Sequence, residues 1–214
     1  MPKLSDKTAL TTLADGDLIH AVDVSDTTSS AAGTSKKIVA SDMKTYMADY
    51  ELIETAVAST DTSIDFVLPS GYTSFKVIAS GIQTTTGGTT LYFRTSSDGG
   101  STFGSGASDY SYNHQRSGAG TTTIYDAITT FIELSRTSLS DGYCSTVIYI
   151  LSATDSSVPT DIHYNTHWKT GGASTRQRTT GVGVRDANAI VDAIRLLPSS
   201  STFAIGTFKL YGIK

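Results

Sequence analysis

The sequence predicts a mainly β protein: a jelly-roll-like β-sandwich preceded by a small β-hairpin plus short helix module. Three observations predict it. Apolar residues make up 38% of the chain and recur with the alternation of half-buried strands. Turn clusters such as Pro69-Ser70-Gly71, Thr86-Gly87-Gly88, Asp98-Gly99-Gly100, Asp141-Gly142 and Gly171-Gly172 punctuate the apolar runs. Ser and Thr supply roughly three residues in ten, a composition suited to exposed β surface.

Residues 1–58 read as the small module. Ser5 can cap a helical turn reaching Leu10. Asp17 to Val24 alternates as a strand, and residues 26–33 form a polar loop. Lys36 to Ala40 returns as the second strand of a hairpin. Ser41 is a further helix cap, Asp42 lies at the positive end of the helix dipole, and Met43, Tyr46, Met47 and Tyr50 follow at helical spacing. Residues 51–61 read as a connector that continues this helix. A module so small buries little core alone, so Leu18, Val22, Ile38, Met43, Tyr46 and Met47 are the expected anchoring and oligomer interface.

Residues 59–214 read as the sandwich. The expected strands are Ser63–Leu68, Ser74–Ser80, Thr89–Thr95, Thr121–Leu134, Tyr143–Ser152, Asp161–Lys169, Arg176–Val184, Ala189–Leu197 and Thr207–Ile213. Strand order is not legible at this level. Gly104–Gly120 is the least patterned stretch and reads as a long loop holding Tyr110, Tyr112, His114 and Arg116.

Composition excludes several function classes. Net charge is -4 and no run of basic residues occurs, so nucleic acid is not an expected partner. No apolar run approaches the ~20 residues that span a bilayer, and Met1 to Asp6 has no apolar signal core. Cys144, the one cysteine, sits in the apolar run Tyr143–Leu151 and reads as a buried, inert thiol.

Among motifs, the sharpest is Ser96-Ser97-Asp98-Gly99-Gly100-Ser101-Thr102-Phe103, which resembles an Asp-box. Its physical content is a tight hairpin turn: Ser96, Asp98 and Thr102 bond locally, Gly99 and Gly100 admit positive φ, and Phe103 plugs the core. His163 and His167 lie on one strand face, too far apart to hold one ion. Asp15, Asp17, Asp23 and Asp26 lack the pattern of a calcium loop and read as turn and cap residues. No nucleophile elbow, phosphate loop, zinc-protease helix or dinucleotide fingerprint occurs. A glycosidase needs two carboxylates at a set separation. Glu is confined to Glu51, Glu54 and Glu133, and nothing marks any two of Asp109, Asp126, Asp141 and Asp161 as a pair. The expectation is a non-enzymatic protein with no metal and no cofactor. Aromatic residues are the positive clue. Tyr110, Tyr112, Tyr125, Tyr164 and Trp168 stand among polar neighbours, as recognition surfaces do, and the same side chains equally suit packing against a neighbouring subunit. Tyr110, Tyr112, His114, Arg116, Tyr164 and Trp168 are the glycan- or receptor-binding candidates.

The stretch Leu13 to Thr28, followed by Gly33 to Ile38 and the short helix Ser41–Met47, resembles a module near the start of many tailed-phage fibre and appendage proteins. Phe66 to Tyr72, the Ser96–Phe103 turn and Ala204 to Lys214 are similar to phage virion β-domains. The resemblance implies a virion protein assembled in the host cytoplasm. It implies a homotrimer docked by residues 1–58 on a tail, baseplate or capsid protein, whose sandwich meets a host-surface glycan. A decoration or cement protein without a receptor, and a glycan-cleaving tailspike-like enzyme, are the alternatives. The chain lacks the extended shaft of long fibres, which points to a stubby spike or a terminal piece.

Overall fold

The computed structural model describes residues 16, 18–28, 31–40, 50–87, 89–118, 120–135, 143–169 and 176–214. Their regular structure is β, divided between two units, residues 1–49 and residues 50–214.

In the first unit, β1 (Leu18–Asp23) pairs antiparallel with β2 (Thr34–Val39), as the alternation predicts. The connection is held by aspartates acting locally. Asp23 Oδ1 accepts the Ser25 and Asp26 amides, and Asp26 Oδ1 accepts the Thr28 amide and hydroxyl. Lys36 sits 2.7 Å from the Asp26 carboxylate, and with Thr28 it holds that carboxyl well below the usual range. The turn role expected of Asp23 and Asp26 is therefore what they perform, while Asp15 and Asp17 lie outside the described residues. Leu18 and Val22 are exposed and Ile38 is half-buried. The expected helix with Met43, Tyr46 and Met47 also lies outside the described residues.

The second unit holds β3 (Tyr50–Ala58), β4 (Ile64–Val67), β5 (Ser74–Thr84), β6 (Leu91–Ser96), β7 (Tyr110–Gly118), β8 (Thr121–Thr129), β9 (Ile132–Ser135), β10 (Cys144–Leu151), β11 (Thr160–Lys169), β12 (Arg176–Arg185), β13 (Ala193–Pro198) and β14 (Phe203–Ile213). Their pairing is nested. β3 pairs with β14, β4 with β13, β5 with β10, and β6 with β9, all antiparallel. This is the pairing a long hairpin makes when it folds over on itself, and it defines a jelly roll. Contacts of β14 with β5 and of β13 with β6 then assemble two sheets. The narrow one is β4-β13-β6-β9. The broad one begins β3-β14-β5-β10 and continues β11-β12-β7-β8. The hairpins β7–β8 and β11–β12 are thus insertions at different points of the chain. They meet through the β12–β7 ladder to widen one sheet.

The core lies between the sheets. Phe75 and Val77 (β5), Phe208 and Leu210 (β14), and Ile148 and Ile150 (β10) face Phe66 (β4), Ile194 and Leu196 (β13), Phe93 (β6) and Ile132 (β9), all buried in one cluster. Each such side chain contributes about 1.5–3 kcal/mol by leaving water. Cys144 is buried among them, and burial pushes its thiol up to about 12.

Four expectations are corrected. Residues 50–58 are strand β3 and not a helical connector, so the unit boundary falls at 49/50 and not at 58/59. Helix-forming Glu, Leu and Ala fill this segment, but its partner β14 fixes it as strand. Residues 110–118 are strand β7 and not part of a loop. Thr121–Leu134 is two strands, β8 in the broad sheet and β9 in the narrow one, because the chain crosses the core at Thr130-Phe131. Phe103 is half-buried and does not plug the core: Arg195 lies 4.0 Å from its ring centroid.

Candidate functional site

The insertion hairpins create two faces with different chemistry. On the inner face, β7 alternates so that Tyr110, Tyr112 and His114 turn into the protein, at 0%, 8% and 1% exposure. From β11, Ile162, Tyr164, Thr166 and Trp168 do the same. Between these strands runs β12, which carries Gly181 opposite His114 on one side and Tyr164 on the other. With no side chain in the way, the Tyr164 hydroxyl reaches His114 Nδ1 at 3.1 Å. A Cβ on Gly181 would stand 2.5 Å from both the His114 Cβ and the Tyr164 hydroxyl. Tyr112 stacks on His114 at 5.4 Å between centroids and donates to Glu133 Oε2 at 3.5 Å. Burial, then Tyr112 and Glu133 nearby, push the Tyr164 phenol well above its ordinary value. Arg116 is half-buried over the Tyr125 ring at 4.7 Å and bonds its hydroxyl.

Of the six receptor candidates, then, Tyr110, Tyr112, His114, Tyr164 and Trp168 are buried and Arg116 is half-buried. The structure brings Tyr112, His114 and Tyr164 together, but as a polar knot that joins β7 to β11, and not as an exposed surface. Period-two alternation in a strand sends large aromatic residues to the water-poor face, and the loop reading of residues 104–120 hid that alternation.

The outer face holds a candidate site that the sequence reading does not name. A groove of ≈ 480 Å³ is lined by Asn113, Gln115, Val147, Tyr149, His163 and Asn165, with Thr180 and Val182 beside them. The registers explain the grouping. Asn113, Val182, His163 and Tyr149 form one row across β7, β12, β11 and β10. Gln115, Thr180, Asn165 and Val147 form the next. The carboxamides of Asn113 and Gln115 and the hydroxyl of Thr180 are exposed in the groove beside the Tyr149 ring, Asn165 is half-buried with its Oδ1 turned away from solvent, and Lys76 lies 5.3 Å from that ring's centroid. Among these lining residues no side chain carries a carboxylate. His163 and His167 are both exposed on this face, as their strand spacing predicts.

The carboxylates named from the sequence are dispersed. Asp109 is used locally, accepting the Gly106 amide at 2.6 Å. Asp126 and Asp161 stand on the outer face three strand intervals apart, about 14 Å or more by strand spacing. That separation exceeds the 5–10 Å, roughly, at which paired glycosidase carboxylates act. Asp141 lies outside the described residues. Among the described residues no group of three His, Cys, Asp or Glu side chains is placed to hold a metal ion.

The Asp-box-like segment forms the expected local network, though it closes a turn between sheets and not a hairpin. Ser96 Oγ accepts the Asp98 and Gly100 amides and donates to Asp98 Oδ1, while Asp98 accepts both the amide and the hydroxyl of Thr102. Gly99 and Gly100 adopt φ of 72° and 84°. The hydrogen bonds from Ser96, then Thr102, hold the Asp98 carboxyl down at about 2. Arg195, which stacks on Phe103, forks onto Asp65 at 2.7 and 2.6 Å and fastens the turn's end to β4 and β13.

Fold and site together define a jelly-roll sandwich with one sheet widened by inserted hairpins and an amide- and aromatic-lined groove on its outer face. No protein-family model, curated protein or solved structure matches the chain.

Proposed function

We propose that this chain is a non-catalytic binding protein that recognises a saccharide through the outer groove of its broad sheet, as part of a phage virion appendage. The observation that carries the binding reading is the lining of the groove. Asn113, Gln115 and Thr180 offer paired donors and acceptors of the kind sugar hydroxyls require, and Tyr149 offers an apolar ring face beside them. The setting on a virion rests on the resemblance of the stretches 13–28, 33–38 and 41–47, and of 66–72, 96–103 and 204–214, to appendage proteins. The exposed Leu18 and Val22 of the hairpin suit the docking and trimer role expected of the N-terminal unit.

The test is binding of the purified full-length protein to isolated host-surface polysaccharides. Loss of one stacking ring or one bidentate amide is worth about 1.4 kcal/mol, so Tyr149→Ala and Gln115→Ala each weaken binding roughly tenfold. Wild-type affinity in both variants would overturn the groove reading. Release of reducing ends from any bound polysaccharide would overturn the non-catalytic one.

A second reading, decoration or cement, is favoured by one observation. β8 is an open edge nine residues long whose single charge is Asp126, and it exposes Ile124 and Ile128 at 69% each. Long flat edges of this kind pair with further strands. Particles lacking residues 50–214 would then lose stability and keep adsorption.

A further inference from the structure

The chain has no basic run, yet the fold gathers one. On the outer face of β11 the side chains proceed His163, Asn165, His167, Lys169, with Asn165 half-buried and the other three exposed. The register sets Lys169 directly opposite Arg176 and His167 directly opposite Arg178. The two pairs are successive on one face, about 6.7 Å apart along the strand. All four side chains are exposed, and none makes an ion pair with a described residue. The one acidic residue on the outer face of β10, β11 and β12 is Asp161, at the far end of β11. Lys169 and Arg176 are like charges directly opposite each other, an arrangement that destabilises a ladder, and no described residue forms an ion pair with either.

Three of the four, His167, Lys169 and Arg176, line a second pocket of ≈ 370 Å³ together with Tyr143 and Ser145. Tyr143 is 62% exposed, and the Lys169 amide donates to its carbonyl, which places that residue beside the Lys169–Arg176 pair. A planar guanidinium, an ammonium and an open aromatic ring in one recess suit a sugar ring that bears an anionic group. The recess joins the neutral groove, because Asn165 and Thr180 occupy the row next to His167 and Arg178.

We infer that the Tyr143–Lys169–Arg176 recess binds the anionic group of an acidic saccharide whose neutral portion lies in the adjoining groove. This rests on the saccharide reading above and adds its charge class. Carboxylate and phosphate share the required chemistry, and the assay separates them. Amide spectra of the full-length protein are recorded during titration with methyl glucuronide, glucose 6-phosphate and methyl glucoside. The glucuronide or the phosphate shifts residues 143–145, 167–169 and 176–178, and added salt weakens the response. Methyl glucoside leaves those residues in place. The K169Q/R176Q variant, relieved of its like-charge pair and so at least as stable as the parent, binds the acidic sugars about tenfold more weakly or worse. An unchanged response in that variant, or no shift at these residues with either acidic sugar, overturns the inference. If methyl glucoside still shifts Asn165 and Thr180 in that case, the saccharide reading survives. If no sugar shifts either region, both fall.

Discussion

Gly181 offers a test of the inner face in which the two outcomes differ in sign. Its φ is not in the left-handed region, so alanine fits the backbone, and Gly→Ala at a compatible site stabilises by about 0.4–1 kcal/mol through the unfolded chain. The surroundings oppose this. The new Cβ would meet the His114 Cβ and the Tyr164 hydroxyl at 2.5 Å and the Tyr164 ring carbon at 2.6 Å. These are buried ring and stem atoms with no room to retreat. Overpacking of this kind costs about 1–3 kcal/mol. Pushing Tyr164 away also breaks its 3.1 Å bond to His114, worth about 0.5–1.5 kcal/mol. Net of the unfolded-chain gain, Gly181→Ala is therefore expected to destabilise by roughly 0.5–4 kcal/mol. The assay is urea unfolding followed by tryptophan fluorescence. Trp168 is the chain's one tryptophan and is buried on the strand that carries Tyr164, so the signal reports the second unit alone. With a slope near 2 kcal/mol/M, the midpoint falls by about 0.25–2 M. A midpoint equal to or above that of the parent would refute the close packing across β12.

Further outcomes follow from other parts of the structure. Residues 50–214 alone are expected to fold with the parent's melting temperature, whereas residues 59–214 lose β3 and with it the cover over β14, and unfold at least 5 °C lower by circular dichroism. Phe208→Ala, in a fully buried position, is expected to cost about 3–5 kcal/mol in the same urea assay. The Cys144 thiol, raised by burial to about 12, reacts with a disulfide reagent at pH 8 only after unfolding, and rapid labelling of the native protein would contradict its placement. The Asp98 carboxyl is lower in the folded chain than unfolded, so its contribution to the turn is complete above pH 3.8 and is lost as pH falls through about 2. The Ser96 and Thr102 amide resonances should move through that window, and Asp98→Asn should remove the movement.

The parts of the fold legible in the sequence are those where one face is buried and the other wet. β10 and β11 alternate so regularly that their ends were placed within a residue. β3 was hidden because it is an edge strand whose outward Leu52 and Val57 are apolar, which blurs the alternation. β7 was hidden by flanking Gly, Ser and Asn, although Tyr110, Tyr112 and His114 recur with period two. The break between β8 and β9 carries neither Gly nor Pro, so nothing local marks where the chain changes sheet. The site was less legible than the fold. Its groove is assembled from β7, β10, β11 and β12, whose adjacency is set by ladders between residues up to 75 positions apart, such as Ser111 and Val184 or Tyr110 and Arg185. The aromatic candidates of β7 and β11 face the core, and the groove is lined mainly by their polar neighbours on the alternate positions.

The junction of β10 with β11 runs through the middle of the groove, with Val147 and Tyr149 contributed by the nested eight-strand frame and every other lining group by the two added hairpins. One wall is therefore tied to the strands that keep the domain folded. The other belongs to segments whose length and surface residues can drift without disturbing any of the nested pairs. On the proposed binding reading, such a divided architecture lets ligand preference change by altering 110–129 and 160–185 while the supporting scaffold stays as it is.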